Sequence, residues 1–288
     1  MDSFDVRNRI EAIEELPTLP VVVTQILQAT KSMATNANDV GDLISSDQSL
    51  TVKVLKLVNS PFYGFPQKIK TITHAIVILG FSKVKNIVLA ASVFGMVKQP
   101  KNSTISLTDL WEHALTTGIV CRQIAKHRNS GVDIEEMFVA GLLHDLGKVI
   151  IICNLPDICT AISENVRKKD CLFYEAENEI LNFSHDKVGV WLAEKWNLNP
   201  ALIEGIKCHH DPLAARGDKE IAFTVHAGNV IARALDIGSG GDNKIPILNA
   251  KVAEELGLNV PAIDKIMGEV LIEIEKAKDF FDLIHSQN

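Results

Sequence analysis

Apolar residues recur along almost the whole chain at three- and four-residue spacing, the period of one buried face on an α-helix. No stretch alternates apolar and polar positions for long enough to make a half-buried strand. The pattern predicts helices over residues 5–14, 20–31, 37–46, 48–59, 69–79, 81–97, 107–127, 133–151, 155–168, 172–180, 185–196, 199–209, 219–236, 247–255 and 260–281. Local punctuation agrees with the period. Asn38 and Asp39 stand where a cap for 37–46 is needed, and Asp47 or Ser49 can cap the next helix. Thr71 opens TITHAIVILG and Gly80 closes it, while Asn199-Pro200 starts a helix with proline in its first turn. The fold class is therefore all-α.

Two interruptions divide the series. The polar stretch KQPKNSTIS, 98–106, separates an N-terminal helical lobe, 1–98, from a helical bundle with a C-terminal helix, 107–288. The stretch GSGGDNKIP, 238–246, is rich in glycine but lacks the order of a phosphate loop and follows a helix, so it reads as a flexible surface loop.

Composition narrows the function classes. The 288 residues can bury a real core, and 47% hydrophobic with 23% charged residues is ordinary for a globular chain. A net charge of -7 gives no general attraction to nucleic acid or an anionic membrane. No apolar run is long enough to span a bilayer, and the charged N-terminus has no signal-peptide core. The five cysteines, Cys121, Cys153, Cys159, Cys171 and Cys208, are odd in number and have no CxxC spacing. Reduced, buried thiols in a cytoplasmic protein are the expectation.

The candidate chemistry lies in the histidines. His113, His144 with Asp145, His185, and His209 with His210 each sit on or at the end of a different predicted helix. A helical bundle assembles a metal site in this way, with side chains from facing helices converging on one point. Imidazole and carboxylate suit iron, manganese, zinc or nickel. The same residues can instead form a hydrogen-bonded polar network in the core. Gly147, one turn from His144, leaves room for a neighbouring helix to pack closely, and Lys148 can reach an anionic group. His74 is expected to be structural, His127 and His285 peripheral, and His226 either lines the same cavity or fills the core.

At these residues the sequence resembles the HD superfamily of metal-dependent phosphohydrolases. Its N-terminal half sharpens this. LPTLPVVVTQIL (17–28), ISSDQSLTVKVLKLVNSPFYG (44–64) and KIKTITHAIVILGFSKVKNIVL (68–89) resemble the HDOD domain, an HD-related output domain of bacterial signalling proteins. The likeness continues through HDLGK (144–148), NEILNFSHDKVGVWLAEKWNLNP (178–200) and VHAGNVIA (225–232), and spans roughly residues 15–236. It implies an HD-type helical bundle and a divalent-metal site of one or two ions. The ligand positions it implies are His113, His144, Asp145, His185, His209, His210 and Asn229. Asn229 stands where the superfamily closes its set with aspartate; an amide oxygen ligates without charge. His209-His210 is followed by AspProLeu rather than by the HHExxDGxGYP signature, which argues against cyclic-di-GMP hydrolysis.

The resemblance implies a regulatory role exerted through a signalling protein partner. The alternative is an active phosphohydrolase acting on a phosphorylated small molecule, with Asp145 and Lys148 as catalytic candidates. The bland reading of NSPFYG is a cap and turn built by Asn59 and Ser60, with Phe62 and Tyr63 in the core.

Overall fold

The computed structural model describes residues 18–29, 36–94, 96–101, 103–129 and 131–286, and among these every regular element is a helix. The helix expected at 5–14 lies outside the described residues. In chain order the α-helices are α1 (Val21–Ala29), α2 (Ala37–Ser45), α3 (Gln48–Val58), α4 (Ile72–Leu79), α5 (Phe81–Val93), α6 (Leu107–Arg128), α7 (Ile134–Leu143) and α8 (Leu146–Asn154). They continue with α9 (Pro156–Lys169), α10 (Phe173–Leu181), α11 (His185–Lys195), α12 (Pro200–Cys208), α13 (Lys219–Ala234), α14 (Ala250–Leu256), α15 (Val260–Lys276) and α16 (Lys278–His285). No single described helix is long and apolar enough to cross a membrane.

The chain divides into two compact units. One takes Thr18–Met96 and the chain from Leu271 onward; the other takes Val97–Val270. The C-terminal helix expected as part of the bundle is thus two helices, and its last residues group with the N-terminal lobe. The reason is the apolar face of α16. Phe280 is fully buried, with its ring centroid 5.3 Å from that of Phe62, and Leu283 and Ile284 extend the same face.

Within the first unit, α1 to α5 close over Val23, Ile26, Ile44, Val54 and Leu57. The caps explain the boundaries. The α2 cap is Asn36 rather than Asn38 or Asp39. Its side chain accepts the Asn38 and Asp39 N–H groups, and the Asp39 carboxylate accepts the Asn36 N–H at 3.1 Å. Asp47 caps α3, Thr71 caps α4, and Gly80 leaves α4 at a positive φ of 83°. The motif NSPFYG behaves as a turn: the Asn59 amide donates to the carbonyls of Leu55 and Ile69, and its oxygen accepts the Ile69 N–H at 2.7 Å.

The second unit is built on α6, a 22-residue helix about 33 Å long. It packs against α7 and α13, while α8 packs on α11, and α12 bridges α11 and α13. The main departure from the periodic reading lies here. The helix expected over 133–151 is two helices that break at His144-Asp145. The His144 ring donates from Nδ1 to the Gly141 carbonyl at 2.7 Å, taking the acceptor that an unbroken helix would offer to the Asp145 N–H. Asp145 then turns the chain at φ -96°, ψ 15°.

Candidate metal centre

The break sets the geometry of the site. His144 ends α7, Asp145 precedes α8, and Lys148 lies one turn into α8. α11 then brings His185 in at its first residue. That approach requires Gly147, because a Cβ there would stand 1.9 Å from the His185 carbonyl oxygen. At the end of α12 the His209 ring repeats the device of His144 and donates from Nδ1 to the Ile206 carbonyl at 2.7 Å. Both rings satisfy a carbonyl that a helix end would otherwise leave open, and both turn Nε2 inward. His113 arrives from the long helix α6.

Asp145 lies at the centre, 2% exposed. Its Oδ2 faces His144 Nε2 at 3.4 Å and His113 Nε2 at 3.7 Å. Its Oδ1 faces His185 Nε2 at 3.0 Å and His209 Nε2 at 3.7 Å. The structure therefore gathers two sets able to hold an ion, His113–His144–Asp145 and His185–His209–His210, with the two carboxylate oxygens turned one to each. Every member is buried except His210, which is half-buried under a stacked Tyr174 ring 4.1 Å away.

The donor set fits a divalent ion. Nδ1–H of His144, His185 and His209 is committed to a fixed acceptor, which leaves each Nε2 with a lone pair. His144 Nε2 is buried without a hydrogen-bond partner, and the buried Asp145 Oδ1 has His185 Nε2 3.0 Å away. His185 Nε2 lies 3.2 Å from His209 Nε2 and 3.1 Å from His210 Nε2. Two nitrogens held about 2.1 Å from one ion are about 3.0–3.4 Å apart. His185 and His209 turn lone pairs toward one another at this distance, which calls for a proton or a metal ion between them.

Protonation follows the same logic. Burial, reinforced by neighbouring histidines, holds His113, His209 and His210 well below the ordinary imidazole range, and burial also lowers His144. These rings are neutral at neutral pH, as ligands must be. For His185, burial pulls downward, but the Glu177 and Asp145 carboxylates outweigh it and raise the pKa to about 9. Burial also disfavours the Asp145 anion, yet His144, Lys148 and His185 together hold its carboxyl well below the usual carboxylate range.

Two parts of this arrangement were not foreseen in the sequence. The first is Glu177 on α10, fully buried, whose Oε2 accepts both the His185 Nδ1–H at 2.6 Å and the His185 backbone N–H at 3.0 Å. The second is the glycine-rich segment 238–244, which is not a free surface loop. The Gly240 carbonyl accepts from Lys148 Nζ at 2.8 Å, the Ser239 N–H donates to the Asp109 carbonyl, and Asp242 accepts the Phe173 N–H at 2.8 Å. Arg233 ties Asp242 and Lys244 to α13. Gly238, at φ 69°, passes so close to α6 that a Cβ would stand 2.3 Å from the His113 nitrogen.

Lys148 itself is 5% exposed and donates to Asp145 Oδ2 at 2.9 Å. Of the remaining predicted ligands, Asn229 is buried on α13, but among the described residues no hydrogen bond joins it to the cluster. His226 is structural: Nδ1–H donates to the His209 carbonyl at 2.8 Å, and Nε2 accepts the Asn249 N–H at 3.1 Å. His74, expected to be structural, is exposed. The cysteines are free and take no part in either set.

Comparison with known proteins agrees with this architecture. A protein of Shewanella amazonensis SB2B that carries a provisional phosphohydrolase name is 26% identical, with a TM-score of 0.75 over 96% of this chain and 97% of that one. An HDOD domain protein from Geobacter sulfurreducens, 24% identical, shares the fold at a TM-score of 0.75 over 99% and 98% of the two chains. An uncharacterized protein of Treponema pallidum (strain Nichols) is 28% identical over 227 residues, 78% of this chain but 44% of that protein. The chain thus spans less than half the length of that curated relative. The HDOD domain family model matches residues 16–212, from the N-terminal lobe through the histidine pair at the end of α12, and the chain belongs to the HDOD domain family.

Proposed function

We propose that the chain is a regulatory protein that acts through contacts with a signalling partner and holds one or two divalent ions between the two histidine sets. The single observation that supports the site is the division of Asp145, with Oδ2 toward His113 and His144 and Oδ1 toward His185 and His209. A divalent ion bound there supplies Lewis acidity. The surrounding residues supply lone pairs, a central carboxylate and a largely buried enclosure.

The enclosure favours regulation over turnover. His144 and His185 are fully buried, and Asp145 is nearly so. Lys148, the group suited to a substrate phosphate, is already bound to Asp145 and to the Gly240 carbonyl. The second reading, a phosphohydrolase, draws on the Lys148–Asp145 pair and on the provisional name of the Shewanella amazonensis relative.

Elemental analysis of the purified chain tests the site. We expect stoichiometric metal in the native protein and none in His144→Ala. A metal-loaded protein that hydrolyses nucleotides or bis(p-nitrophenyl) phosphate at a rate abolished by His144→Ala establishes the second reading instead. Absence of metal overturns the proposed site.

A further inference from the structure

The sequence motif NSPFYG and the basic residues around it play no part in the histidine centre. Asn59 of that motif and the lysines near it line a groove of about 760 Å³ in the unit formed by Thr18–Met96 and the C-terminal residues. Val52, Leu55 and Phe65 give it an apolar lining; Lys68 and Lys70 add positive charge, and Lys56 shares the wall with Asp279. Val52 is 62% exposed at the rim of the groove, so its side chain is open to a partner. The walls are held in place. Asn59 clamps the two ends of the intervening loop through its bonds to Leu55 and Ile69, so the groove exists before anything enters it.

Charge identifies the occupant. Residues 18–96 and 271–287, which form this unit, carry nine lysines and no arginine against five aspartates and two glutamates, in a chain whose net charge is -7. The positive charge is therefore local. Lys68 and Lys70 are exposed, and Lys56 is held at one end of the groove by Asp279 and Asp282, at 3.4 and 3.5 Å. Lysine without arginine lacks the forked geometry that favours phosphate recognition, and a sugar-phosphate backbone makes no use of an apolar lining. An acidic amphipathic helix uses both features, placing its apolar face on Val52, Leu55 and Phe65 and its carboxylates against the lysines. We infer that this groove is the docking site for an acidic amphipathic helix of a partner protein. The inference rests on the reading of the chain as one that acts through protein contacts, and it is independent of the metal.

The test uses the full chain and fluorescence anisotropy, with three labelled probes: the peptide EELLEELLEELLEE, its counterpart with lysine at every glutamate, and a single-stranded oligonucleotide of matched charge. The acidic peptide is expected to bind. The pair Lys68→Glu and Lys70→Glu should weaken it at least tenfold, and Val52→Glu should do the same through the apolar lining. These side chains are exposed, and unchanged melting temperatures verify that the variants fold. His144→Ala should leave binding within twofold, which separates this inference from the metal site. No binding of the acidic peptide at 100 µM, equal binding of the lysine peptide, tighter binding of the oligonucleotide, or full affinity in the charge-reversed variant overturns it.

Discussion

The two sides of Asp145 are made of the same residue types and differ in how their charge is balanced. On the Oδ2 side the balancing cation is part of the chain. Lys148 lies 2.9 Å from Oδ2, and His144 is anchored by a neutral backbone carbonyl. On the Oδ1 side the ring of His185 is anchored by a carboxylate, Glu177, which is fully buried. An unpaired carboxylate at such depth is costly, so this side needs a cation that the chain does not supply as a lysine or arginine. In the metal-free protein a proton on His185 meets that need, consistent with a pKa of about 9. With metal available, an ion can replace the proton. For the proposed ions this difference predicts an order of filling: the Oδ1 side would exchange a proton for the first ion, and the Oδ2 side would take a second only against the positive charge of Lys148.

The largest test removes the element common to both sides. Asp145→Asn keeps the volume but offers no carboxylate to either set and leaves Lys148 buried beside a neutral amide. Metal content is expected to fall to background on both sides, with a stability loss of about 3 kcal/mol from the uncompensated lysine. Chemical denaturation and elemental analysis read the two effects separately. Adding Lys148→Met should restore stability but not metal. A variant that still holds one ion per chain would show that the sides do not share Asp145.

Gly147→Ala separates the sides. A Cβ would meet the His185 carbonyl oxygen at 1.9 Å and the Gly189 nitrogen at 2.7 Å, both backbone atoms that cannot swing away. α11 must retreat from α8, and the strain is of the order of 3 kcal/mol. The Oδ1 side should lose its ion, because His185 moves with α11 while His113 and His144 stay. A lowered melting temperature with the first ion lost is the expected pair of readings. An unchanged melting temperature contradicts the close packing.

Glu177→Gln is a milder change confined to the Oδ1 side. The amide can still accept from Nδ1 of His185, but the buried charge is gone. Replacing an anchor of this kind weakens metal binding by about 10- to 100-fold. Competition with a chelator such as nitrilotriacetate measures the change. If the filling order is right, the variant should also lose its preference for loading this side first.

Much of the fold could be read from the chain, and the exceptions share a cause. The caps at Asp47, Thr71 and Asn199 and the helix periods depend on residues within a few positions of each other, so local pattern finds them. The break at His144-Asp145 depends on a ring taking the Gly141 carbonyl, which no hydropathy period records. The segment 238–244 looks mobile by composition; its order comes from Lys148, Phe173 and Asp109, which are far away in sequence. Glu177 did leave a signal. It falls on the buried stripe Phe173, Ala176, Leu181 of α10, where a carboxylate needs a partner.

The smallest test follows from the proton on His185. Its folded-state pKa is raised to about 9, above the unfolded value near 6.5. In the metal-free protein the stabilisation from this proton is complete below about pH 6.5 and is lost as pH rises through about 9. An ion on the Oδ1 side competes with the same proton. Between pH 9 and pH 6.5 its affinity should therefore fall about tenfold for each unit of acidification, with one proton released per ion bound. Isothermal titration calorimetry in buffers of different ionisation enthalpy counts that proton. In Glu177→Gln the His185 pKa loses its main upward influence, so proton release near pH 8 should vanish and the affinity should become flat with pH. Proton release that survives this substitution would place the proton on another group and remove the distinction between the two sides of Asp145.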